Sequence, residues 1–570
     1  MTVYLKDYLD RDAPVQSAAA LARALRAVPD GGTLRLGGGR LNVSPDGAFC
    51  KYYHVSNNDS GEKRIAFPLL GRRDITIDGE GADIVFCGDI LPFVIDGCSN
   101  ITVKNLSIDY RFPQYAQARL LEADEKHTVM EFDNREFFCR VKDGALCFYS
   151  EADGWENCPE APLALEFDAE KRAPSDHLPS YFPYSGPARD HGFLGGMFRK
   201  VSYRQLDEKR IAMYGDIGFT HTVGNYVIMT HSRRWNQGFL VNGSRDVMIE
   251  NVALYHTAAM GVLCQLSENI TLDRVSADVR EGSGRLLSVN ADATHFVNCR
   301  GRIVMRGCRF LKMMDDAANI HGIYLKAPRA DGAHSFVAGY GHAQQAHMDI
   351  FRPGDIAKII DYNTVETAAT LTVVRTEQLD GNALRVFVQE AMPDITGECV
   401  VENVSTAPEV LITGCECGDN RPRGFLLSSA GRTVVEGCVF HNMYQGVSIG
   451  GEMLNWYESG AVSDVTVRDN EFRNSAYAGG CAICVAAHVK NSESITDFHG
   501  RIVIESNRFT MNGRRFLSAA NVRALTVRDN VYVRDESLPY HGEIGNGGLD
   551  IRSCAGQAVE PVREAADMGK

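Results

Sequence analysis

Hydrophobic and polar positions alternate along this chain in short runs, and the runs repeat. β-Branched residues alternate with polar ones, a turn on Gly, Asn or Asp follows, and an apolar residue closes the unit. The unit reads ITIDGEG at Ile75, ITVKNLSI at Ile101, VMIENVAL at Val247, ITLDRVSA at Ile270 and IVMRGCRF at Ile303. It returns as VLITGCEC at Val410, TVVEGCVF at Thr433, VTVRDNEF at Val465, IVIESNRF at Ile502 and LTVRDNVY at Leu525. Aligned on the turn, Asn251 to Arg274, Gly414 to Gly437 and Ser506 to Asp529 are each 23 residues apart. Period-2 alternation predicts a strand, and one such strand cannot bury its apolar face without stacked neighbours. A coil of about 20–25 residues is too short for a strand-helix-strand crossover with loops. The pattern therefore predicts an all-β, right-handed parallel β-helix whose rungs lie about 4.8 Å apart.

Breaks in the pattern divide the chain. Residues 1–110 hold a cap and the first coils; within them an amphipathic helix over 15–28 is expected to close the open end of the solenoid. Segments 111–235 and 323–408 keep alternation (HTVMEFD and RIAMYG, then TLTVVRT and ALRVFVQ) but lose the turn signature. They are expected to be inserted small β-barrel or sandwich modules on one face of the solenoid. Coils resume over 236–322 and 409–535, and the tail 536–570, Gly-rich and then charged, is expected to be loosely packed.

Composition narrows the classes. Lys plus Arg total 59 against 73 Asp plus Glu, a net charge of 59 − 73 = −14, which argues against a nucleic-acid partner. No apolar run has the length of a membrane span, so no membrane partner is expected. The first residues, MTVYLKDYLDRDAP, lack the layout of a secretory signal, and a cytoplasmic protein is expected, with a secreted form whose leader has been removed as the alternative. The 16 Cys read as buried free thiols rather than a disulfide framework. Cys415-x-Cys417 resembles half of a metal clip, but Cys308, Cys415 and Cys438 share one register and read as an inward ladder. No metal and no cofactor are expected. Homodimerisation is left open.

Chemistry concentrates in Met313-Met-Asp-Asp-Ala-Ala-Asn-Ile-His-Gly322. Asp292 lies 23 residues before Asp315, one coil, so Asp292, Asp315 and Asp316 are expected to meet on the outer wall. In LLSVNAD, alternation sends Leu287, Val289 and Ala291 to one side and Ser288, Asn290 and Asp292 to the other. Crowded carboxylates raise one another's pKa, which lets one stay protonated as acid while another acts as base. Registering later coils on the turn places Arg423 beside Asp316, and Ser428 beside His321, with Glu452 just beyond. Asn319, His321, Arg423 and Glu452 are therefore expected to bind substrate around the trio. Trp456 is either a platform for a sugar face or a packed side chain.

The run 313–322 with Asp292 upstream, and Leu-Asn-Trp-Tyr-Glu-Ser-Gly over 454–460, resembles glycoside hydrolase family 110. That resemblance covers most of the chain. It implies an exo-acting α-1,3-galactosidase that removes terminal galactose from blood-group-B-type and linear Galα1-3Gal ends with inversion. It implies a right-handed β-helix with β-barrel insertions, a galactose-terminated glycan as substrate, and Asp292, Asp315 and Asp316 as the acidic residues. One Asp, one coil, then Asp-Asp is also similar to polygalacturonases, and by that analogy Asp315 is the acid while Asp292 and Asp316 hold the water. The rival readings are a polygalacturonase-like hydrolase or lyase, and a non-catalytic glycan-binding solenoid.

Overall fold

The computed structural model describes residues 1–565 except 134, 177, 188–191, 232–233, 381 and 396–397. The signature strands stack in parallel and in register: Ile75, Ile101, Val247, Ile270, Ile303, Val410, Thr433, Val465, Ile502 and Leu525 form one column. Ile101 pairs directly with Val247, and Ile303 with Val410, so both insertions loop out without breaking the ladder. This is the right-handed parallel β-helix that the periodicity predicts.

A late coil shows the plan. It runs Phe425–Ser428, Arg432–Glu436 and Val439–His441, and the next coil opens with Val447–Glu452. The turn after the second strand needs a left-handed residue. Asn105, Asn251, Gly307, Gly414, Gly437, Asp469 and Asp529 have φ between 50° and 61° there, which is why Gly, Asn and Asp recur at that position. Behind the turn, Cys308, Cys415 and Cys438 are buried in line, and the column continues as Asn470, Asn507 and Asn530. Each asparagine donates to the coil before it, to the carbonyls of Val435, Val467 and Ile504 respectively. Aromatic rings stack inside at rung spacing, with Phe440 to Phe472 at 4.8 Å and Phe472 to Phe509 at 5.0 Å.

The cap helix is shorter than expected, Ala18–Ala27, because the Ser17 hydroxyl caps it by accepting from the Ala20 N–H. Its Ala18, Leu21 and Leu25 join the core that begins with Leu34 and Phe67. Part of the tail is ordered into the solenoid: Leu549–Arg552, Gln557–Val559 and Arg563–Glu564 stack on the preceding coil as a further one, while the last two of these strands stay exposed; residues 566–570 lie outside the described residues.

The first insertion holds an open 6-stranded antiparallel sheet running from Tyr115–Ala123 to Tyr226–Thr230, not a closed barrel. A 3-stranded sheet leans on it, and there Cys147 and Cys158 form a disulfide that the free-thiol reading missed. The remaining cysteines are free, and only Cys50 is exposed. The second insertion does close. Ala318–Gly332, Ser335–Tyr340, Ala383–Val388, Thr367–Asp380, Ile356–Asp361 and Cys399–Asn403 pair in a ring that returns to the first strand. Ala318–Gly332 starts as a rung of the solenoid and runs on into that barrel.

Candidate active site

The rung Thr294–Val297 sets the site. Thr294 and Phe296 lie over Ala318 and Ile320, while His295 pairs with Asn319 and Val297 with His321 on the alternate, outward positions. The next rungs continue the outward columns as Leu426 then Ser448, and as Ser428. Thr294 on Ala318 makes this coil 24 residues long, and the Ala293 N–H donates to the Asp316 carbonyl. Asp292 thus lies level with Asp316, and Asp315 precedes them. The run before Asp292 is not a ladder strand, and its apolar residues face three different cores. Leu287 and Met314 pack under the first insertion, Val289 enters the solenoid core, and Ala291 packs with Tyr53 and Met260.

Leu194 and Arg234 of the first insertion, and the loop that carries Glu452, Trp456 and Glu458, turn an outer wall into a pocket. Asp292, Asp315, Asp316, His295, Asn319 and Arg423 share a cavity of about 250 Å³, together with Arg234, Trp456 and Glu458. The side chains of Asp292 and Asp316 are only 5% and 2% exposed and that of Asp315 17%, against the solvent-facing positions that the coil pattern suggests.

Each carboxyl has a different partner. The Arg423 guanidinium clamps Asp316, with Nε at 2.9 and 3.1 Å from the two oxygens and Nη2 at 2.8 Å. Burial nevertheless pushes the Asp316 carboxyl up to about 8, against the pull of Arg423 and with Asp315 and Asp292 adding to the rise. Asp315 accepts from Arg234 Nη2 at 2.8 Å, and Arg421 stands 3.7 Å away. Burial opposes its ionisation too, but Arg234, Arg421 and Arg423 outweigh it and hold the carboxyl below the usual range. Among the described residues Asp292 meets no cation directly. Its Oδ2 lies 2.6 Å from His295 Nδ1, and burial, then the charge of Asp315, push it well above the usual carboxylate range.

The other expected residues divide. Asn319 donates to Glu458 at 3.3 Å, and its own Oδ1 is buried with no hydrogen-bond partner among the described residues. Arg423 is where the register places it. His321 is not at the cavity wall: it stands behind His295, with Nε2 at 3.0 Å from His295 Nε2 and Nδ1 at 2.6 Å from the Gly322 carbonyl. Glu452 borders the cavity, but its carboxylate accepts the backbone N–H groups of Leu454, Asn455, Trp456 and Tyr457. It fixes the loop that carries Trp456 and Glu458, and does not hold out free oxygens to a sugar. Trp456 both lines the cavity and packs on His342, centroids 4.6 Å apart.

Four site residues escaped the sequence reading. His295 could have been found, because it occupies the outward position one rung before Asn319. Arg421 stood in the Asn420-Arg-Pro-Arg-Gly424 motif; Asn420 pins that loop by donating to the Asp315 and Arg423 carbonyls at 2.8 and 2.7 Å. Glu458 comes from Glu458–Ser459, which pairs antiparallel with Gly322–Ile323. Its two oxygens accept from Asn57 and Asn319, and His321, then His295, hold it below the usual range despite burial. Arg234 lies at the end of the first insertion, outside any repeat, and left no signal. Among the described residues no group of three or more His, Cys, Asp or Glu is placed to hold a metal ion.

Known proteins resemble this chain. A family described as "Right handed beta helix region" matches residues 399–555. "Alpha-1,3-galactosidase A" of Shewanella woodyi is 30% identical over 494 residues, 86% of this chain and 78% of that protein. "Alpha-1,3-galactosidase B" of Bacteroides thetaiotaomicron is 28% identical over 98% of this chain and 90% of its own length. Among solved structures, the A-module of an Azotobacter vinelandii mannuronan C-5 epimerase aligns over 99% of this chain and 100% of that module, at 10% identity and a TM-score of 0.38. The chain belongs to the α-1,3-galactosidase family.

Proposed function

We propose that the pocket hydrolyses a terminal α-1,3-linked galactose by single displacement with inversion, on linear Galα1-3Gal or blood-group-B-type ends. The names of the relatives support the linkage and sugar. The observation that carries the chemistry is three carboxyls in one cavity of about 250 Å³, Asp292 and Asp316 buried and Asp315 partly exposed, held at different protonation by different partners. A cavity of that size takes one sugar ring, which suits exo action. The unpartnered Asn319 Oδ1 is an acceptor awaiting a sugar hydroxyl.

The resting electrostatics favour a division of roles other than that of the polygalacturonase analogy. Asp315, ringed by arginines, is the ionised carboxylate. Asp316 has both oxygens on Arg423 and holds that guanidinium toward the sugar. Burial keeps a proton on Asp292 as on Asp316, and Asp292 is the one of the two that no guanidinium among the described residues clamps. In the reaction the Asp292 O–H turns from His295 to the glycosidic oxygen and gives it that proton as the C1–O bond breaks. Asp315 takes a proton from the water whose oxygen attacks C1 from the opposite face. The product is β-galactose.

The test follows anomers and leaving groups together. NMR of the first product from Galα1-3Gal and from the branched B trisaccharide should show β-galactose; α-galactose as the first product overturns inversion. Asp292→Asn should lose about 10²–10⁴-fold in kcat on Galα1-3Gal yet recover much of it on an aryl α-galactoside with an acidic leaving group, which needs no protonation. Asp315→Asn should lose comparable activity on both substrates. The reverse pattern assigns the acid to Asp315.

A further inference from the structure

His295 and His321 make up a group that the mechanism above does not use. Three contacts run in line from the pocket into the protein. Asp292 Oδ2 lies 2.6 Å from His295 Nδ1, His295 Nε2 lies 3.0 Å from His321 Nε2, and His321 Nδ1 lies 2.6 Å from the Gly322 carbonyl oxygen. All three are hydrogen-bond distances, so each needs one proton. A carbonyl only accepts, so His321 Nδ1 carries the third proton. Two bare ring nitrogens at 3.0 Å would set lone pair against lone pair, so the middle contact holds a proton as well. An ionised aspartate with two neutral imidazoles brings only two protons to these three bonds.

We propose that Asp292, His295 and His321 form one unit that holds three protons and no net charge, and that the two imidazoles keep the additional proton on the Asp292 carboxyl. The placing of that proton follows from burial. Asp292, His295 and His321 are 4%, 1% and 3% exposed, and separated charges there lack water to stabilise them. The arrangement without formal charges has the Asp292 O–H donating to His295 Nδ1, His295 Nε2–H to His321 Nε2, and His321 Nδ1–H to the carbonyl. The surrounding charges are Asp315 and Arg234 beside Asp292 and His295, Glu458 with an oxygen 3.6 Å from His321 Nε2, and Arg423 near Asp292. Burial also pushes His295 down to about 4 and lowers His321, so both imidazoles resist a second proton.

The Gly322 carbonyl fixes the tautomer of His321, and His321 in turn fixes that of His295. That tautomer leaves Nδ1 bare, and only a protonated Asp292 can satisfy it. His295 and His321 are therefore positioning residues for the proton of Asp292. A neutral Asp292 also removes the repulsion that an ionised Asp315 would otherwise meet on the neighbouring coil. This deepens the reading of the pocket as a glycosidase, and rests on it only for the kinetic arm of the test.

Neutron diffraction from deuterium-exchanged crystals near neutral pH should show one deuteron in each of the three gaps. An empty gap between the two Nε2 atoms overturns the proposal whatever the enzyme hydrolyses. In kinetics, His321→Phe removes the acceptor and frees His295 to donate Nδ1–H to an ionised Asp292. The alkaline limb of kcat, where the acid loses its proton, should then move to lower pH by about one unit or more. His321→Gln, with an amide oxygen near the lost Nε2, should restore the wild-type limb. Coincident limbs in all three proteins overturn the proposal. Three deuterons in a protein that releases no galactose would uphold it and sink the glycosidase reading instead.

Discussion

The coils over 409–535 and the coil that carries the active site share one backbone plan and differ in what covers them. In the late coils the inward positions are Val, Ile, Phe, Cys and Asn in columns, and charged residues pair on the exposed wall, as Arg468 does with Glu436 and Arg528 with Glu505. Over 286–323 the same rungs carry three aspartates, two histidines and an asparagine on the outward side, nearly all buried. The solenoid sets positions at fixed spacing, and the segments folded over it, chiefly the first insertion and the 452–458 loop, decide which of those positions lose water. A polar column under those segments becomes a set of desolvated, coupled groups, whereas the same kind of column elsewhere is an ordinary surface.

The sharpest way to break that contrast is to remove a counter-charge. Arg423→Met leaves the 2% exposed Asp316 without its partner. At pH 9.5, where Asp316 is ionised, this should cost about 3 kcal/mol of stability. The penalty should shrink by pH 6, below the raised value of about 8, where Asp316 already holds a proton with Arg423 present or absent. Urea unfolding at the two pH values measures it, and an equal loss at both would show that Asp316 is ionised throughout.

The late coils offer the neutral counterpart. Asn507 Oδ1 accepts from the Asn470 backbone and side chain at 3.1 and 3.0 Å, while its Nδ2 donates to the Val467 carbonyl at 2.9 Å. Asn507→Leu fills the space but strands those groups, and about 2 kcal/mol should be lost, with little pH dependence between 5 and 8. Galactosidase turnover at a temperature where the variant stays folded should match the wild type, because the ladder does not touch the cavity.

How much of this was legible in the sequence follows the same divide. The signature strands, their register and the columns of the late coils can be read directly, because each rung depends only on its neighbours. The coincidence of Asp292 with Asp315 and Asp316, and of Arg423 with Asp316, was legible for the same reason. Arg234 and Glu458 were not, because they reach the pocket along paths that no period describes. His321 was placed at the sugar since register shows the column and not the depth, and the insertions bury that position behind His295. The fate of Glu452 was hidden likewise: four backbone N–H groups of an irregular loop claim its carboxylate.

Two histidines allow the smallest and most direct comparison. His295 and His441 both sit beside carboxylates on rungs of the same solenoid. Burial is the dominant influence on His295 and pushes it down to about 4. At His441, 23% exposed, burial also acts downward, but Asp419 at 3.1 Å and Glu416 at 3.4 Å outweigh it and push the imidazole up to about 9. A folded pKa above the unfolded one means that the interaction stabilises fully below the unfolded value near 6.5 and is lost as pH rises through about 9. Glu416 runs the other way: lowered to about 2, its share is present above its ordinary value of 4.5 and is lost as pH falls through about 2. The cluster should thus stabilise most between about pH 4.5 and 6.5. His441→Gln should cost on the order of 1–2 kcal/mol at pH 6 and almost nothing at pH 9.5. His295→Gln should lack that profile, since His295 stays neutral across the whole range. A His441→Gln penalty that is constant from pH 6 to 9.5 would mean that His441 is uncharged, and that partial exposure does not separate the two environments.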